Sequence, residues 1–137
     1  MAKQCKSIFL LLGLVLISLA GCQDKSTALV RSWKLEDMRL TKKVPDALKP
    51  TIQKSIDDIK KSAFVITYNA DGTYFTQMGQ QVLHGTWKLN FNSSKIVAVT
   101  DNGQSMDYTI IKLSPSSFTF KAVENGQEVI FDMVPAN

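Results

Sequence analysis

The sequence predicts an all-β domain, an eight-stranded antiparallel up-and-down barrel with one short helix between its first and second strands. Short runs rich in β-branched and aromatic residues recur from residue 64 onward, with turn signals about every ten residues between them. The turns contain Asp71-Gly72 and Asn102-Gly103, pairs that tolerate the positive φ of tight hairpins. Because such short turns join neighbouring strands in antiparallel fashion, the expected strand order is a meander.

One predicted strand precedes the helix, and the other seven follow it. The predicted strands span residues 29–40, 64–68, 73–78, 82–91, 95–100, 106–113, 117–123 and 128–134. A barrel of about eight strands has an interior just wide enough for packed side chains or for one small ligand.

Alternation of apolar and polar residues indicates which side chains face the barrel interior. In the strand 82–91, one apolar face comprises Leu83, Gly85, Trp87, Leu89 and Phe91. Strand 106–113 is apolar on both faces, which is consistent with a position under the helix. The inward residues that are candidates for lining a cavity are Phe64, Tyr68, Trp87, Leu89, Phe120 and Phe131. These side chains either wall a pocket for an apolar ligand or fill the barrel.

Helical periodicity is found in residues 44–62, where Ile52, Ile56 and Ile59 recur at the spacing of one helix face. Pro50 suits a first-turn position, while Pro45 interrupts a continuous helix. We therefore expect a turn followed by a helix of about three turns. Its apolar stripe should cover an end or an edge of the sheet.

Residues 1–21 have the three zones of a secretory signal peptide. Lys3 and Lys6 provide a positive start, residues 8–19 are almost entirely aliphatic, and Ala20-Gly21 supplies small residues at the end. The aliphatic run is short for a bilayer-spanning helix, which needs about 20 apolar residues. The segment is therefore interpreted as a signal that is removed.

The tetrad Leu19-Ala20-Gly21-Cys22 resembles the lipobox of bacterial lipoproteins. The resemblance implies that diacylglycerol alkylates the Cys22 sulfur, that the leader is cut before this residue, and that a fatty acid such as palmitate acylates the new amine. Two acyl chains on one residue already suffice for lasting attachment to a membrane. Residues 22–28 would then form a polar tether, and residues 29–137 the barrel domain. Because Gln23 is not the Asp that retains some lipoproteins at the inner membrane, we expect the outer membrane of the cell envelope.

The chain has two cysteines. Cys5 lies within the predicted signal peptide, and Cys22 is the residue predicted to be lipidated. Cys5 leaves with the signal peptide and Cys22 becomes a thioether, so the mature domain has neither a free thiol nor a disulfide. Stability must therefore come from packing. Cysteine catalysis and thiolate metal sites are excluded.

A short repeat links the first strand with a later one. The segment beginning at Arg31 reads RSWKL, and the segment beginning at Gly85 reads GTWKL. Together with the intervening helix and the hairpin motif "FxxxYNADGTY", these segments resemble the small lipocalin-like domains of bacterial lipoproteins. In lipocalins a Gly-x-Trp near the first strand closes one end of the barrel. Here Arg31 stands where Gly is usual, and the intact motif is the later one, ending at Trp87.

Charge does not favour a nucleic-acid partner. The chain has sixteen basic and twelve acidic residues, but Lys3 and Lys6 lie in the leader. The remaining charges of both signs are interspersed, with no basic run longer than Lys42-Lys43 or Lys60-Lys61. Phosphate-rich partners require clustered basic residues, so nucleic-acid binding is not predicted.

No residue set spells out a catalytic or metal site, so we predict a protein that is not an enzyme and has no cofactor. His84 is the single histidine and lies on the polar face of its strand, without a second imidazole. Asp71 and Asp101 lie in turns, where side-chain bonds to local backbone account for them. General acid–base catalysis would need tuned groups that converge in a cleft.

Two functions remain. The first is a lipid-anchored lipocalin-like protein that binds a small hydrophobic ligand at the envelope. The second is a solid barrel whose surface docks on another envelope component, a protein partner that the sequence does not identify. A cavity of several hundred cubic ångströms would favour the first function. A filled interior with an exposed apolar patch would favour the second.

Overall fold

The computed structural model describes residues 24–124 and 126–136, so the predicted signal peptide and Cys22 lie outside the described residues. Within these residues, two helices and eight strands follow one another. They are α1 (Lys25–Leu29), β1 (Ser32–Leu40), α2 (Lys49–Lys61), β2 (Val65–Tyr68), β3 (Thr73–Met78), β4 (Gln81–Leu89), β5 (Lys95–Thr100), β6 (Ser105–Ser114), β7 (Ser117–Glu124) and β8 (Gln127–Pro135).

The strands form one closed barrel in the order of the sequence, and β8 pairs with β1 to complete it. Every neighbouring pair is antiparallel. Register shifts in β1, between Leu35 and Asp37, and in β6, between Ile110 and Lys112, mark β-bulges that bend the strands. The predicted fold, an antiparallel meander barrel with a short helix after its first strand, is confirmed.

An up-and-down barrel has two distinct ends. The α1 end carries helix α1 and the turns at residues 69–72, 90–94 and 114–116. The α2 end carries helix α2, the turns at residues 79–80 and 101–104, and the β7–β8 turn. The chain enters the barrel at the α1 end through β1 and crosses to the α2 end before α2 begins.

The core contains four of the six predicted lining residues, Tyr68, Trp87, Phe120 and Phe131. The buried apolar residues are Leu29, Trp33, Met38, Ile66, Tyr68, Tyr74, Trp87, Ile96, Ala98, Phe118, Phe120, Ala122, Val129, Phe131 and Met133. The prediction was wrong at the ends of the segment 82–91, because Leu83 is 56% exposed and Phe91 is 104% exposed. Leu83 lies near the tip of the β3–β4 hairpin, and Phe91 lies beyond the end of β4. At these two positions a side chain on the inward side of the strand has no barrel interior beside it and stays exposed.

Helix α2 begins close to Pro50, which occupies its first turn, and ends with Lys60 and Lys61, whose charges suit the negative end of a helix dipole. Its C-terminal N–H group on Ser62 donates to the Asp58 and Ile59 carbonyls. Ile56 and Ile59 of the predicted apolar stripe pack against the core cluster. The helix therefore covers part of the α2 end, next to β1.

Helix α1 occupies part of the segment expected to be a polar tether, and the sequence pattern did not predict it. Asp24 caps the helix by accepting a hydrogen bond from the Ser26 amide at 3.3 Å. Leu29 is fully buried, so the chain joins the core before β1 starts. The helix that packs on β6 is α1, whereas α2 packs on β1.

Candidate functional site

The six candidate lining residues lie on or next to the barrel strands, and their side chains reach the inner face to different depths. Tyr68, Trp87, Phe120 and Phe131 are buried, while Phe64 and Leu89 are partly buried and pack against the core. The sequence pattern thus located these residues on the interior side.

The aromatic members of this set contact one another. The rings of Phe120 and Phe131 stack with centroids 4.9 Å apart, and Phe64 lies 6.3 Å from Phe131. Tyr68 meets Trp87 edge-on at 5.2 Å. Such offset and edge-to-face pairs stabilise a packed core beyond the area that they bury. A cavity lined by these six side chains stays a prediction.

Three tyrosines bring polar groups into this apolar interior. The hydroxyls of Tyr68 and Tyr74 are buried and have no hydrogen-bond partner among the described residues. The Tyr108 hydroxyl donates to the Met106 sulfur at 3.2 Å. Burial raises the pKa of all three phenols above the usual value, most strongly at Tyr68, where Tyr108 and Tyr74 add to the effect.

These tyrosines predict that the barrel loses stability in alkali. The unfolded phenols ionise near pH 10, whereas the folded ones hold their protons to higher pH. Their contribution is therefore complete below about pH 10 and falls as the pH rises above it. Urea unfolding at rising pH measures the loss, and ultraviolet absorbance reports tyrosinate formation.

The variant Tyr68→Phe serves as the control for this prediction, since it keeps the ring against Trp87 and removes one raised pKa. We expect its stability to fall less steeply with pH than that of the wild type. If the tyrosinate absorbance rose near pH 10 while the protein remained folded, the prediction would be contradicted.

Trp33 closes the α1 end of the barrel. It is fully buried, and its Nε1–H donates to the Leu29 carbonyl at 3.1 Å. The Arg31 guanidinium lies 5.2 Å from the centre of the Trp33 ring and donates to the Pro115 carbonyl at 2.7 Å. Arg31, at the position where the resemblance implies Gly, thus covers the tryptophan with a cation.

A groove lies at the α2 end of the barrel, between α2 and the last residues of β1. The groove is open to solvent and has a volume of about 530 Å³. The residues that line it are Met38, Arg39, Leu40, Lys42, Val44, Lys49, Pro50, Ile52, Gln53 and Ile56. None of the six predicted lining residues is among them. The sequence signal that could have located the groove is the spacing of Ile52 and Ile56, whose helix face was expected to cover an end or an edge of the sheet.

The rim of this groove is basic. Arg39 pairs with Asp132 on the outer face of the barrel, and Lys49 pairs with Asp46 at 2.6 Å. Lys42 is exposed and makes no ion pair with any described residue. An apolar floor with basic groups at the edge can bind a hydrocarbon chain and an acidic head group together.

One ion pair connects α2 to the wall of the barrel. Lys60 donates to Asp37 at 3.1 Å, at the bulge of β1. The hydrogen bond from Lys60 lowers the pKa of Asp37 below its usual value. Both side chains are partly exposed, so the pair positions the helix more than it stabilises the fold.

His84, Asp71 and Asp101 all lie at exposed positions of the barrel. Asp71 has the predicted bonds to its turn, whereas in the turn of Asp101 the Asn102 side chain accepts from a local amide, that of Gln104. His84 is exposed, with its ring 6.0 Å from that of Phe75. Asp71 accepts hydrogen bonds from the Thr73 amide at 2.9 Å and its hydroxyl at 2.6 Å, which lower the Asp71 pKa. Residues 24–124 and 126–136 contain no cluster of three metal-ligating side chains. Within the same residues, neither helix has the length and apolar character needed to cross a bilayer.

The closed eight-stranded meander, with a helix after its first strand, is consistent with a lipocalin-like barrel. The chain is similar in structure to the crystal structure of a DUF4847 family protein from Bacteroides vulgatus, with a TM-score of 0.51 and 15% sequence identity. The match covers 80% of this chain and 95% of that chain. At this identity the likeness concerns the fold alone. No protein-family model and no curated protein matches the sequence.

Proposed function

We propose that this protein is a lipid-anchored barrel of the bacterial cell envelope that binds a small hydrophobic molecule in the groove between α2 and β1. The observation that carries the proposal is the groove itself, which is open to solvent, has a volume of about 530 Å³, and is lined by six apolar and four polar or charged residues. Pockets for small molecules are usually about 300–1,000 Å³ and mostly apolar, with a few polar groups that orient the ligand.

The charges at the rim favour an amphiphile with an acidic head group, such as a fatty acid. Met38, Leu40 and Ile56 would contact the hydrocarbon chain, since all three line the groove. Lys42 would face the head group, because its amine is not engaged by a described carboxylate.

Attachment to the membrane rests on the lipobox resemblance at Cys22, together with the signal peptide before it. The described chain starts two residues later, at Asp24, and enters the fold directly through α1. Gln23 supports placement at the outer membrane. Mass spectrometry of the protein purified from bacterial membranes tests the anchor, since acylation adds a defined mass to Cys22.

Palmitate binding measured by calorimetry tests the groove. We expect Ile52→Glu to weaken binding at least about tenfold, equivalent to about 1.4 kcal/mol, because it places a carboxylate on the apolar floor. Thr51→Glu is the matched control, since it adds the same charge on an exposed position of α2 outside the groove lining. Circular dichroism would verify that both variants keep the fold.

A second variant separates the head group from the hydrocarbon chain. We expect Lys42→Gln to weaken the binding of palmitate and to leave the binding of the uncharged alcohol of equal chain length unchanged. Equal affinities of wild type and Ile52→Glu for palmitate would remove the groove as the binding site. Absence of palmitate binding to the wild type would count against a fatty acid as the ligand.

One observation favours the alternative function, docking on another envelope component. The tip of the β3–β4 hairpin exposes three apolar side chains, Met78 at 37%, Val82 at 45% and Leu83 at 56%. Met78 and Leu83 share one face of this hairpin and Val82 lies on the other, and apolar residues exposed at one site often mark a protein contact. Replacing Val82 and Leu83 by serine would abolish such docking, whereas palmitate binding in the groove would persist.

A further inference from the structure

At the α1 end of the barrel, α1 and the residue before β1 make contacts with two turns. The Lys25 amine donates to the Ser93 carbonyl in the β4–β5 turn at 3.1 Å. Arg31 donates to the Pro115 carbonyl in the β6–β7 turn at 2.7 Å. The start of the described chain is therefore attached to two turns at this end.

The β4–β5 turn presents an aromatic side chain to solvent. Phe91 is 104% exposed, the highest value among the large apolar residues described. The turn around it is ordered by side-chain bonds, since Asn90 accepts from the amides of Ser94 and Lys95, each at 2.9 Å. Asn92 also accepts from the Ser94 hydroxyl at 2.6 Å. A rigid turn thus holds an aromatic ring away from the barrel, where its contact with water is unfavourable relative to burial.

Covalent geometry limits how far this turn can lie from the anchor. Cys22 is two residues before Asp24, a span of at most about 7 Å in a fully extended chain. Lys25, the residue after Asp24, donates a hydrogen bond to the turn that carries Phe91. An acyl group on Cys22 therefore brings the α1 end, with its exposed phenylalanine, close to the bilayer surface.

We propose that Phe91 inserts into the phospholipid interface beside the anchor, so that the barrel stands with its α1 end on the membrane and the α2 groove directed away from it. The inference rests on the lipid anchor of the proposed function. The occupant is the bilayer, because the anchor limits the distance and apolar side chains such as phenylalanine bury at the boundary between head groups and acyl chains. The arrangement leaves the groove open to molecules in the aqueous space.

Fluorescence quenching in vesicles tests the orientation. The full-length gene product is expressed in bacteria, purified with its acyl groups, and reconstituted in vesicles of phosphatidylethanolamine and phosphatidylglycerol that carry nitroxide-labelled acyl chains. Phe91→Trp places a probe at the α1 end, and Leu83→Trp places a matched exposed probe at the α2 end. The native Trp33 and Trp87 are buried, and their emission is subtracted using the wild type.

We expect the emission of the Phe91→Trp probe to fall at least about twofold, as for a ring at the interface, and that of the Leu83→Trp probe to remain unchanged. Stronger quenching at position 83, equal quenching at both positions, or quenching at neither would overturn the orientation. The mass of the product separates the two proposals. A product without acyl groups refutes the anchor and with it this inference, whereas an acylated product without quenching at position 91 refutes the orientation alone.

Discussion

Replacing Gly85 by alanine is expected to cost at least about 4 kcal/mol of folding free energy, close to the whole stability of many small domains. A Cβ atom at Gly85 would overlap the Val99 carbonyl oxygen, and it would lie 2.7 Å from Cε1 of Tyr74 and 2.9 Å from Cα of Thr100. Two of these three atoms are backbone of the neighbouring strand β5, which cannot move without separating β4 from β5.

Urea unfolding followed by circular dichroism measures this loss, and soluble yield detects it if the variant fails to fold. Gly79→Ala is the control, because Gly79 has a φ of +61° and an added Cβ there would have no described atom within 4 Å. Its cost should be about 1–2 kcal/mol, from backbone conformation alone. Similar losses at positions 79 and 85 would show that close approach of the strands is not what requires Gly85.

Removing the side chain of Trp33 is the second large effect that we expect. Trp33→Ala should lower the free energy of unfolding by about 3–5 kcal/mol, because it opens a cavity at the α1 end. The ring is fully buried and lies 5.4 Å from that of Phe118, and its Nε1–H donates to Leu29. Loss of the ring also leaves the Arg31 guanidinium without its aromatic partner.

Trp33→Phe separates packing from hydrogen bonding at this site. The smaller ring keeps most of the contact with Phe118 and leaves the Leu29 carbonyl without the indole donor, so we expect a loss of about 1–3 kcal/mol. Denaturant titration of both variants measures the difference. If Trp33→Ala cost no more than Trp33→Phe, the tryptophan would not be the residue that closes this end.

Most of the strands could be predicted because the signals for a meander are local. The alternation in 117–123 and 128–134 identified the inward residues Phe120 and Phe131 correctly. A strand repeats every two residues, so a few positions suffice to assign its buried face. The turn pairs Asp71-Gly72 and Asn102-Gly103 then determined the order, and Gly72 and Gly103 both adopt positive φ.

Helix α1 escaped prediction because its cause is not local. Its sequence, KSTAL, is too short to show helical periodicity, and an isolated helix of this length is unstable in water. It forms because Leu29 is buried in the core, the Leu29 carbonyl binds Trp33, and Asp24 caps the first turn. These contacts depend on the closed barrel.

The candidate site shows the same division. Apolar spacing identified the face of α2 that carries Ile52 and Ile56, and alternation identified the interior aromatic residues. The distance between α2 and β1 decided that a groove forms there, and ring-to-ring contacts such as that of Phe120 with Phe131 depend on the barrel radius. The local spacing of apolar residues indicates which way a side chain points, because backbone geometry repeats every few residues. Whether space remains beside that side chain depends on the volumes of residues distant in the chain, and only the folded barrel brings those together.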